Sequence, residues 1–129
     1  MVLDTSAILA ILFNEPQREA FVNAVFADTV RLVTAPTLVE ATLAAEARGG
    51  ESAGRELDLL LSQLGVEIVA FSEDHARLAR NAWRRYGKGR HAAGLNFGDC
   101  FAYAAAKHAG EPLLFKGSDF AQTDVASAL

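Results

Sequence analysis

The sequence has 129 residues and a formal net charge of −4, with 51% hydrophobic and 22% charged residues. This balance excludes intrinsic disorder, and a chain of this length can bury an ordinary core without metals or disulfides. We therefore expect a single domain over residues 1–129. No apolar run approaches the ~20 residues that span a bilayer, and the early acid Asp4 argues against a secretion signal. The lone Cys100 has no disulfide partner within the chain, which favours a cytoplasmic protein without membrane association.

Short apolar segments alternate along the chain with longer segments of helical periodicity. In chain order, the pattern predicts a strand at 1–4, helices at 6–13 and 17–27, a strand at 30–33, helices at 36–48 and 52–64, a strand at 66–71, helices at 73–86 and 97–109, a strand at 112–115, and a short strand near Val125. Gly49 and Gly50 separate helices 36–48 and 52–64. This alternation predicts an α/β fold, with a mostly parallel central sheet of four to five strands and helices on both faces.

Four acidic residues lie at junctions between these predicted elements. Asp4 closes the first strand, and Glu40 lies in the first turns of the helix after the second strand. Asp99 lies in the first turn of helix 97–109, and Asp119 closely follows strand 112–115. Because the carboxyl ends of parallel strands meet at one edge of a sheet, we expect these four side chains to approach one another.

Helix capping offers a simpler explanation for each acid taken alone. Thr37-x-x-Glu40 matches a capping box, Asn96-x-x-Asp99 resembles one, and Asp4 could be an ordinary N-cap. Four acids on one predicted edge, with Asp99 in a helix that is apolar on nearly every side, favour a functional cluster.

Converging carboxylates repel one another unless a cation lies between them. No His or Cys stands at zinc-ligand spacing, and an all-oxygen cluster suits Mg²⁺, with Mn²⁺ also possible. Two such ions roughly 4 Å apart can activate water and stabilise the leaving oxygen of a phosphodiester. The sequence therefore suggests metal-dependent phosphoester hydrolysis.

One region of this acidic chain is strongly basic. No acid occurs between His75 and Gly98, whereas five basic residues lie on one stripe of helix 73–86 and in the loop after it: Arg77, Arg80, Arg84, Lys88 and Arg90. Trp83 and Tyr86 are expected to pack inward on the opposite face. The stripe is either a solvated helix face or the phosphate-binding surface that a nuclease with an acidic centre needs.

Several segments together resemble a known family. Val2-Leu3-Asp4-Thr5-Ser6-Ala7, Glu40, Asn96-Phe97-Gly98-Asp99-Cys100 and Leu114-Phe115-Lys116-Gly117-Ser118-Asp119-Phe120 occur in the order found in the PIN-domain ribonucleases, and the chain most closely resembles the VapC toxins of type II toxin–antitoxin pairs. Many relatives carry two adjacent acids before the last phenylalanine, where this chain has Ser118-Asp119.

The resemblance implies a PIN-like fold and Mg²⁺-dependent endonucleolytic cleavage of RNA, inhibited by a cognate VapB-type antitoxin. It implies that Asp4 and Asp99 are the principal metal ligands, that Glu40 and Asp119 complete the acidic site, and that the protein forms a homodimer. Supporting roles fall to Thr5 or Ser6, whose hydroxyls would lie beside the metal, and to Asn96. In that context the basic stripe would contact the RNA backbone.

Two other interpretations are compatible with the sequence. The chain could be a PIN-fold module that binds RNA or an antitoxin without cleaving, although retention of all four acids speaks against it. A flavodoxin-like phosphoacceptor domain would need an acid at the end of its middle strand, whereas the third predicted strand ends in Ala70-Phe71-Ser72.

Overall fold

A computed structural model describes all residues, 1–129. Its elements in chain order are β1 (Val2–Leu3), α1 (Thr5–Leu12), α2 (Arg18–Ala27), β2 (Leu32–Thr34), α3 (Ala35–Gln63), β3 (Glu67–Val69), α4 (Glu73–Tyr86), α5 (Phe97–Ala109), β4 (Leu113–Leu114) and a 3₁₀ turn (Phe120–Gln122). Every segment predicted to be helical is helical, although segments 36–48 and 52–64 belong to one element, and the strands contain only two or three residues each.

The four strands form one sheet in the order β3-β2-β1-β4, and all neighbouring pairs are parallel. β1 lies inside the sheet, where Val2 is in register with Leu32 of β2 and Leu113 of β4. The predicted α/β fold is confirmed. The predicted strand near Val125 is instead an isolated bridge between Leu113 and Ser127.

Helices cover both faces of the sheet because consecutive strand residues point in opposite directions. Leu3 and Leu114 are buried in the cluster formed with α1, α2 and α3. Their neighbours Val2 and Leu113 are buried in a second cluster formed with α4 and α5. The carboxyl end of β1 therefore lies between the two helical layers.

Helix α3 differs from the prediction of two separate helices. It runs from Ala35 to Gln63 with one non-helical residue, Gly50, at φ +73° and ψ −174°. Glycine adopts a positive φ without the penalty that a Cβ imposes, so the chain kinks there and resumes its helix at once. Both halves contribute buried residues to the same core, including Ala41 and Leu57. Each helix is either too short or too polar to cross a lipid bilayer.

Candidate active site

Asp4 lies directly after β1, at the first residue of the connection to α1. Its side chain is buried, with a relative exposure of 3%. Asp4 is the N-cap of α1: Oδ2 accepts hydrogen bonds from Ser6 N at 2.9 Å and Ser6 Oγ at 2.6 Å. Burial raises the pKa of Asp4 to about 6, since the lowering effect of the Ser6 hydrogen bonds is smaller, and Asp99 and Glu40 add repulsion. The capping explanation is thus correct for Asp4 but incomplete.

The Ser6 hydroxyl joins two loops at this sheet edge. It donates to Asp4 and accepts a hydrogen bond from the backbone N–H of Lys116, at 2.9 Å. Lys116 follows β4 closely, so this contact holds the loop after β4 against the start of α1. Ser6 therefore fixes the orientation of the Asp4 carboxylate, a role consistent with its predicted support of the site.

Glu40 does not belong to a capping box. The N-cap of α3 is Thr34, whose Oγ1 accepts from Thr37 N at 3.2 Å, so the predicted Thr37-x-x-Glu40 box is wrong. The Glu40 carboxylate instead accepts a hydrogen bond from the Thr5 hydroxyl. Because Thr5 directly follows Asp4 in the chain, this hydrogen bond holds the Glu40 carboxylate near the carboxyl end of β1.

Gly98 is a residue that the sequence interpretation missed as part of the site. A Cβ at Gly98 would lie 1.6 Å from Glu40 Oε2, so the Glu40 carboxylate occupies the space that any side chain would take. Its position directly before Asp99 in Asn96-Phe97-Gly98-Asp99-Cys100 was the available signal. The absence of a side chain at Gly98 allows the acid from α3 to approach the first turn of α5.

Asp99 and Asn96 form the capping box expected at the start of α5. Asn96 Oδ1 accepts from Asp99 N at 2.9 Å, and Asp99 Oδ2 accepts from Asn96 N at 3.0 Å. Desolvation raises the pKa of Asp99, the Asn96 hydrogen bond opposes it, and the charges of Glu40 and Asp119 raise it further. Asp99 is thus electrostatically coupled to the other three acids.

Asp119 is the most peripheral of the four acids. It is exposed at the start of the 3₁₀ turn, and its side chain makes no capping hydrogen bond. Its charge raises the pKa of Asp99 but is not among the causes that act on Asp4. Asp119 therefore lies on the Asp99 side of the acidic site.

The chemistry of these side chains suits a hard divalent cation. Asp4 Oδ1, Asp99 Oδ1 and Glu40 Oε2 each accept no hydrogen bond from the chain, so each acid retains a free oxygen. In the observed side-chain positions, however, no three His, Cys, Asp or Glu residues are close enough to hold a metal ion between them. The donors fit such an ion, but they do not form a ready-made cage.

The basic stripe is less uniform than its spacing suggested. Arg77 pairs with Asp74 and, at 3.4 Å, with Glu73, so its charge is neutralised within α4. Arg84 donates only to the neutral Asn81, at 3.1 Å. Arg80 and Lys88 are exposed, and their side chains make no ion pair. Of the predicted RNA contacts, Arg77 has the least charge free for phosphate.

Trp83 does not pack inward as predicted. Tyr86 is buried, but Trp83 remains 44% exposed, and the guanidinium of Arg90 lies over its ring at 4.1 Å from the centroid. Cys100 is buried, and desolvation raises the pKa of its thiol to about 11, which keeps the thiol protonated near neutral pH, as the sequence interpretation of a buried structural cysteine requires.

Comparison with known proteins places this chain in one family. The family model described as PIN domain matches residues 1–126, nearly the whole chain. The chain therefore belongs to the PIN-domain family. This membership confirms the resemblance seen in the sequence and rules out the phosphoacceptor alternative.

Curated relatives identify the branch of the family. The chain is 55% identical over 127 residues to Ribonuclease VapC30 of Mycobacterium tuberculosis, covering 98% of this chain and 97% of that protein. It is 54% identical over 127 residues to Ribonuclease VapC of Mycolicibacterium smegmatis, covering 98% of each. Within the PIN-domain family, the chain is a member of the VapC ribonucleases.

Solved structures share the fold at lower identity. VapC20 of Mycobacterium tuberculosis, described as a toxin that cleaves the sarcin-ricin loop, matches with a TM-score of 0.77 and 16% identity over 97% of this chain and 95% of that one. VapBC2 from Rickettsia felis, bound to a fragment of its promoter DNA, matches with a TM-score of 0.76 and 13% identity over 98% and 94%. These likenesses support the fold alone.

Proposed function

We propose that this chain is a toxin that hydrolyses RNA phosphodiester bonds with Mg²⁺, or Mn²⁺ in its place, at the acidic site. The observation that carries the proposal is the buried Asp4, whose pKa is raised to about 6 in the presence of two other carboxylates. A buried acid with free oxygen and like-charged neighbours costs stability in the absence of a cation, and such sites are typical of function. Membership of the VapC ribonucleases supplies the reaction class.

Asp4 and Asp99 are the principal ligands in this proposal, and Glu40 and Asp119 complete the charge of the site. A divalent cation held there would lower the pKa of a bound water and neutralise charge developing on the phosphate. Ser6 fixes the Asp4 carboxylate, Thr5 holds Glu40, and Asn96 orients Asp99.

The charge-bearing residues of α4 and its following loop would bind the RNA backbone. Arg80, Arg84 and Lys88 carry no ion pair and can neutralise phosphates that the acidic site would otherwise repel. Arg77, which is already paired with acids of its own helix, would contribute least. Arg90 would act through its contact with Trp83.

A VapB-type antitoxin is the proposed inhibitor, and a homodimer is the proposed assembly. Toxin–antitoxin complexes from Rickettsia felis and Klebsiella pneumoniae share this fold, which supports an antitoxin partner.

The exposed side chains of Val39 and Leu43 lie one turn apart on α3 and supply an apolar strip for contact with a second subunit. Light scattering coupled to size exclusion tests the dimer, and Leu43→Glu should shift it towards monomer.

The decisive experiment is incubation of the purified chain with total RNA in Mg²⁺ and in EDTA. Cleavage should require Mg²⁺, and Asp99→Asn should lower the rate about 100-fold or more, because a ligand charge is lost from the site. Asp58→Asn, an exposed acid on α3, is the matched control and should retain full activity. Equal activity of both variants would refute the site. Absence of cleavage in any condition would leave a binding module without catalysis.

A further inference from the structure

A groove of about 480 Å³ lies between α4 and α5 and plays no part in the acidic site described above. Most of its wall is apolar, formed by aromatic and small side chains from both helices. Two arginines and no acid line it. The residues that matter here are Phe71, Trp83, Phe97, Phe101, Arg80 and Arg84.

Trp83 is exposed in this groove, yet its ring is held in place. The guanidinium of Arg90 lies 4.1 Å from the ring centroid, a cation–π contact. Gly87 lies against the Cδ1–Nε1 edge of the indole, where a Cβ at position 87 would be 2.6 Å from Trp83 Cδ1 and 2.9 Å from Trp83 Nε1. The tryptophan is therefore a fixed aromatic surface, and binding a ligand on it costs little conformational entropy.

Phe97 extends this aromatic surface on the α5 side. It is 80% exposed, the largest exposure among the large hydrophobic side chains. Its ring meets Phe101 edge to face at 4.6 Å between centroids, and Phe101 meets Phe71 in the same manner at 5.2 Å. A row of aromatic rings thus runs from the groove wall to solvent.

The charge around the groove favours a polyanionic occupant. Arg80 makes no ion pair or hydrogen bond through its side chain, and Arg84 donates only to Asn81. Both guanidinium groups are therefore free to bind phosphate. A nucleic acid supplies both the negative charge and the flat apolar surfaces that match this lining.

The groove adjoins the acidic site through the first turn of α5. Phe97, Cys100 and Phe101 line the groove, while Asp99, between Phe97 and Cys100 in sequence, interacts electrostatically with Asp4 and Glu40. One helical turn thus carries both the proposed metal ligand and the groove wall. A strand bound at Asp99 would cross only the width of this helix, roughly 10 Å, to reach the groove.

We propose that this groove is a nucleobase subsite for single-stranded RNA. An unpaired base a few positions from the cleaved bond stacks on Trp83 and Phe97, and Arg80 and Arg84 bind the flanking phosphates. Bases within a duplex are already stacked on their neighbours, so the subsite selects RNA with unpaired nucleotides. The inference rests on the proposed function, because it names the substrate feature that the acidic site receives.

Trp83 is the single tryptophan of the chain, so its fluorescence reports on the groove directly. The probe is a mixed-sequence single-stranded RNA of about ten nucleotides, within the range that stacking surfaces cover. It is titrated in EDTA, together with an abasic ribose-phosphate strand of the same length and with the duplex form. The single strand should quench Trp83, whereas the abasic strand and the duplex should leave its emission nearly unchanged.

Binding of fluorescently labelled RNA, measured by anisotropy, extends the test to variants that lack tryptophan. Trp83→Ala and Phe97→Ala should each raise the Kd of the single strand between about 5-fold and 150-fold, and Trp83→Phe should raise it less than about 3-fold. Phe26→Ala is the matched control, because Phe26 is also an exposed aromatic beside an arginine, with Arg31 at 5.4 Å, but lies on α2. Its Kd should equal that of the wild type.

Three results would overturn the subsite. Equal quenching by the abasic strand would show that the groove binds only phosphate. An unchanged Kd in both Trp83→Ala and Phe97→Ala would show that the rings take no part. A Trp83 spectrum that changes with protein concentration, without RNA and in step with dimerisation, would assign the groove to a second copy of the chain. If any of these results occurs while the chain still cleaves RNA with Mg²⁺, the subsite is refuted and the proposed function stands. If the single strand quenches Trp83 but no RNA is cleaved, catalysis is refuted and the subsite stands.

Discussion

Replacing Asp4 by asparagine should remove catalysis and, at the same time, stabilise the metal-free protein. Burial and two neighbouring carboxylates raise the pKa of Asp4 from 3.8 to about 6. At neutral pH the Asp4 carboxylate is charged in both states, and its charge is less favourable in the folded protein than in the unfolded chain. The difference of about 2 pH units corresponds to about 3 kcal/mol of free energy of unfolding.

The net gain is smaller because asparagine is a poorer substitute than a protonated carboxyl group. The Ser6 hydrogen bonds to the charged carboxylate already enter the pKa of Asp4, but the asparagine amide N–H₂ would replace Oδ1, which has no hydrogen-bond partner, and a buried donor without a partner costs about 1–2 kcal/mol. We expect Asp4→Asn to raise the free energy of unfolding by about 1–2 kcal/mol at neutral pH. For a chain of this length, that corresponds to a rise in Tm of roughly 3 to 10 °C.

The sign of the pH dependence gives a second test of the same reasoning. Since the pKa of Asp4 is higher in the folded protein, its contribution to stability is fully present below pH 3.8 and is lost as the pH rises through about 6. Urea unfolding in EDTA between about pH 4 and pH 7 should show this loss in the wild type and a flatter profile in Asp4→Asn. Added Mg²⁺ should stabilise the wild type more than the variant.

The exposed Asp119 provides the control, because Asp119→Asn should change the free energy of unfolding by less than about 0.5 kcal/mol. The reasoning would be refuted by an Asp4→Asn protein that is less stable than the wild type in EDTA at neutral pH and keeps the same pH profile. Asp4 would then act mainly as a helix cap.

Three further predictions concern other parts of the molecule. Gly98→Ala should lower kcat by about 10-fold or more with little loss of stability, since its Cβ would displace the flexible end of Glu40. Single-turnover cleavage measures the rate and circular dichroism the stability, and an unchanged kcat would count against a role for Glu40. Tyr103→Phe should lower the free energy of unfolding by about 1–2 kcal/mol, because it removes the hydrogen bond from Tyr103 to the carboxylate of Asp124 at 2.5 Å. Urea unfolding tests this loss, and RNA cleavage should persist in the variant. Desolvation lowers the pKa of His75, so its contribution to stability is present above the ordinary value of 6.5 and is lost as the pH falls. The free energy of unfolding should therefore change less between about pH 7 and pH 5 in His75→Gln than in the wild type. An equal change in both proteins would exclude His75 as the source.

Local sequence patterns predicted the elements well where one physical signal dominated. Asn96 and Asp99 formed the expected capping box, and the apolar helix 97–109 is buried between the sheet and α4. The pair Gly49-Gly50 predicts a helix end, whereas α3 continues through Gly50. A glycine permits a break but does not force one, and packing of both halves on one core kept them nearly continuous.

The sequence by itself determined the class of protein, because Asp4, Asp99 and their flanking residues form short motifs, and their order along the chain can be recognised without knowing any distance. Only the tertiary structure decided how those acids are held. Thr5 on α1 binds Glu40 on α3, and Gly98 on α5 leaves room for that carboxylate, three positions brought together by the parallel sheet. It also placed Trp83 outward beside Arg90, against its helical periodicity. Contacts between residues distant in sequence depend on how the layers pack, and no local pattern encodes that.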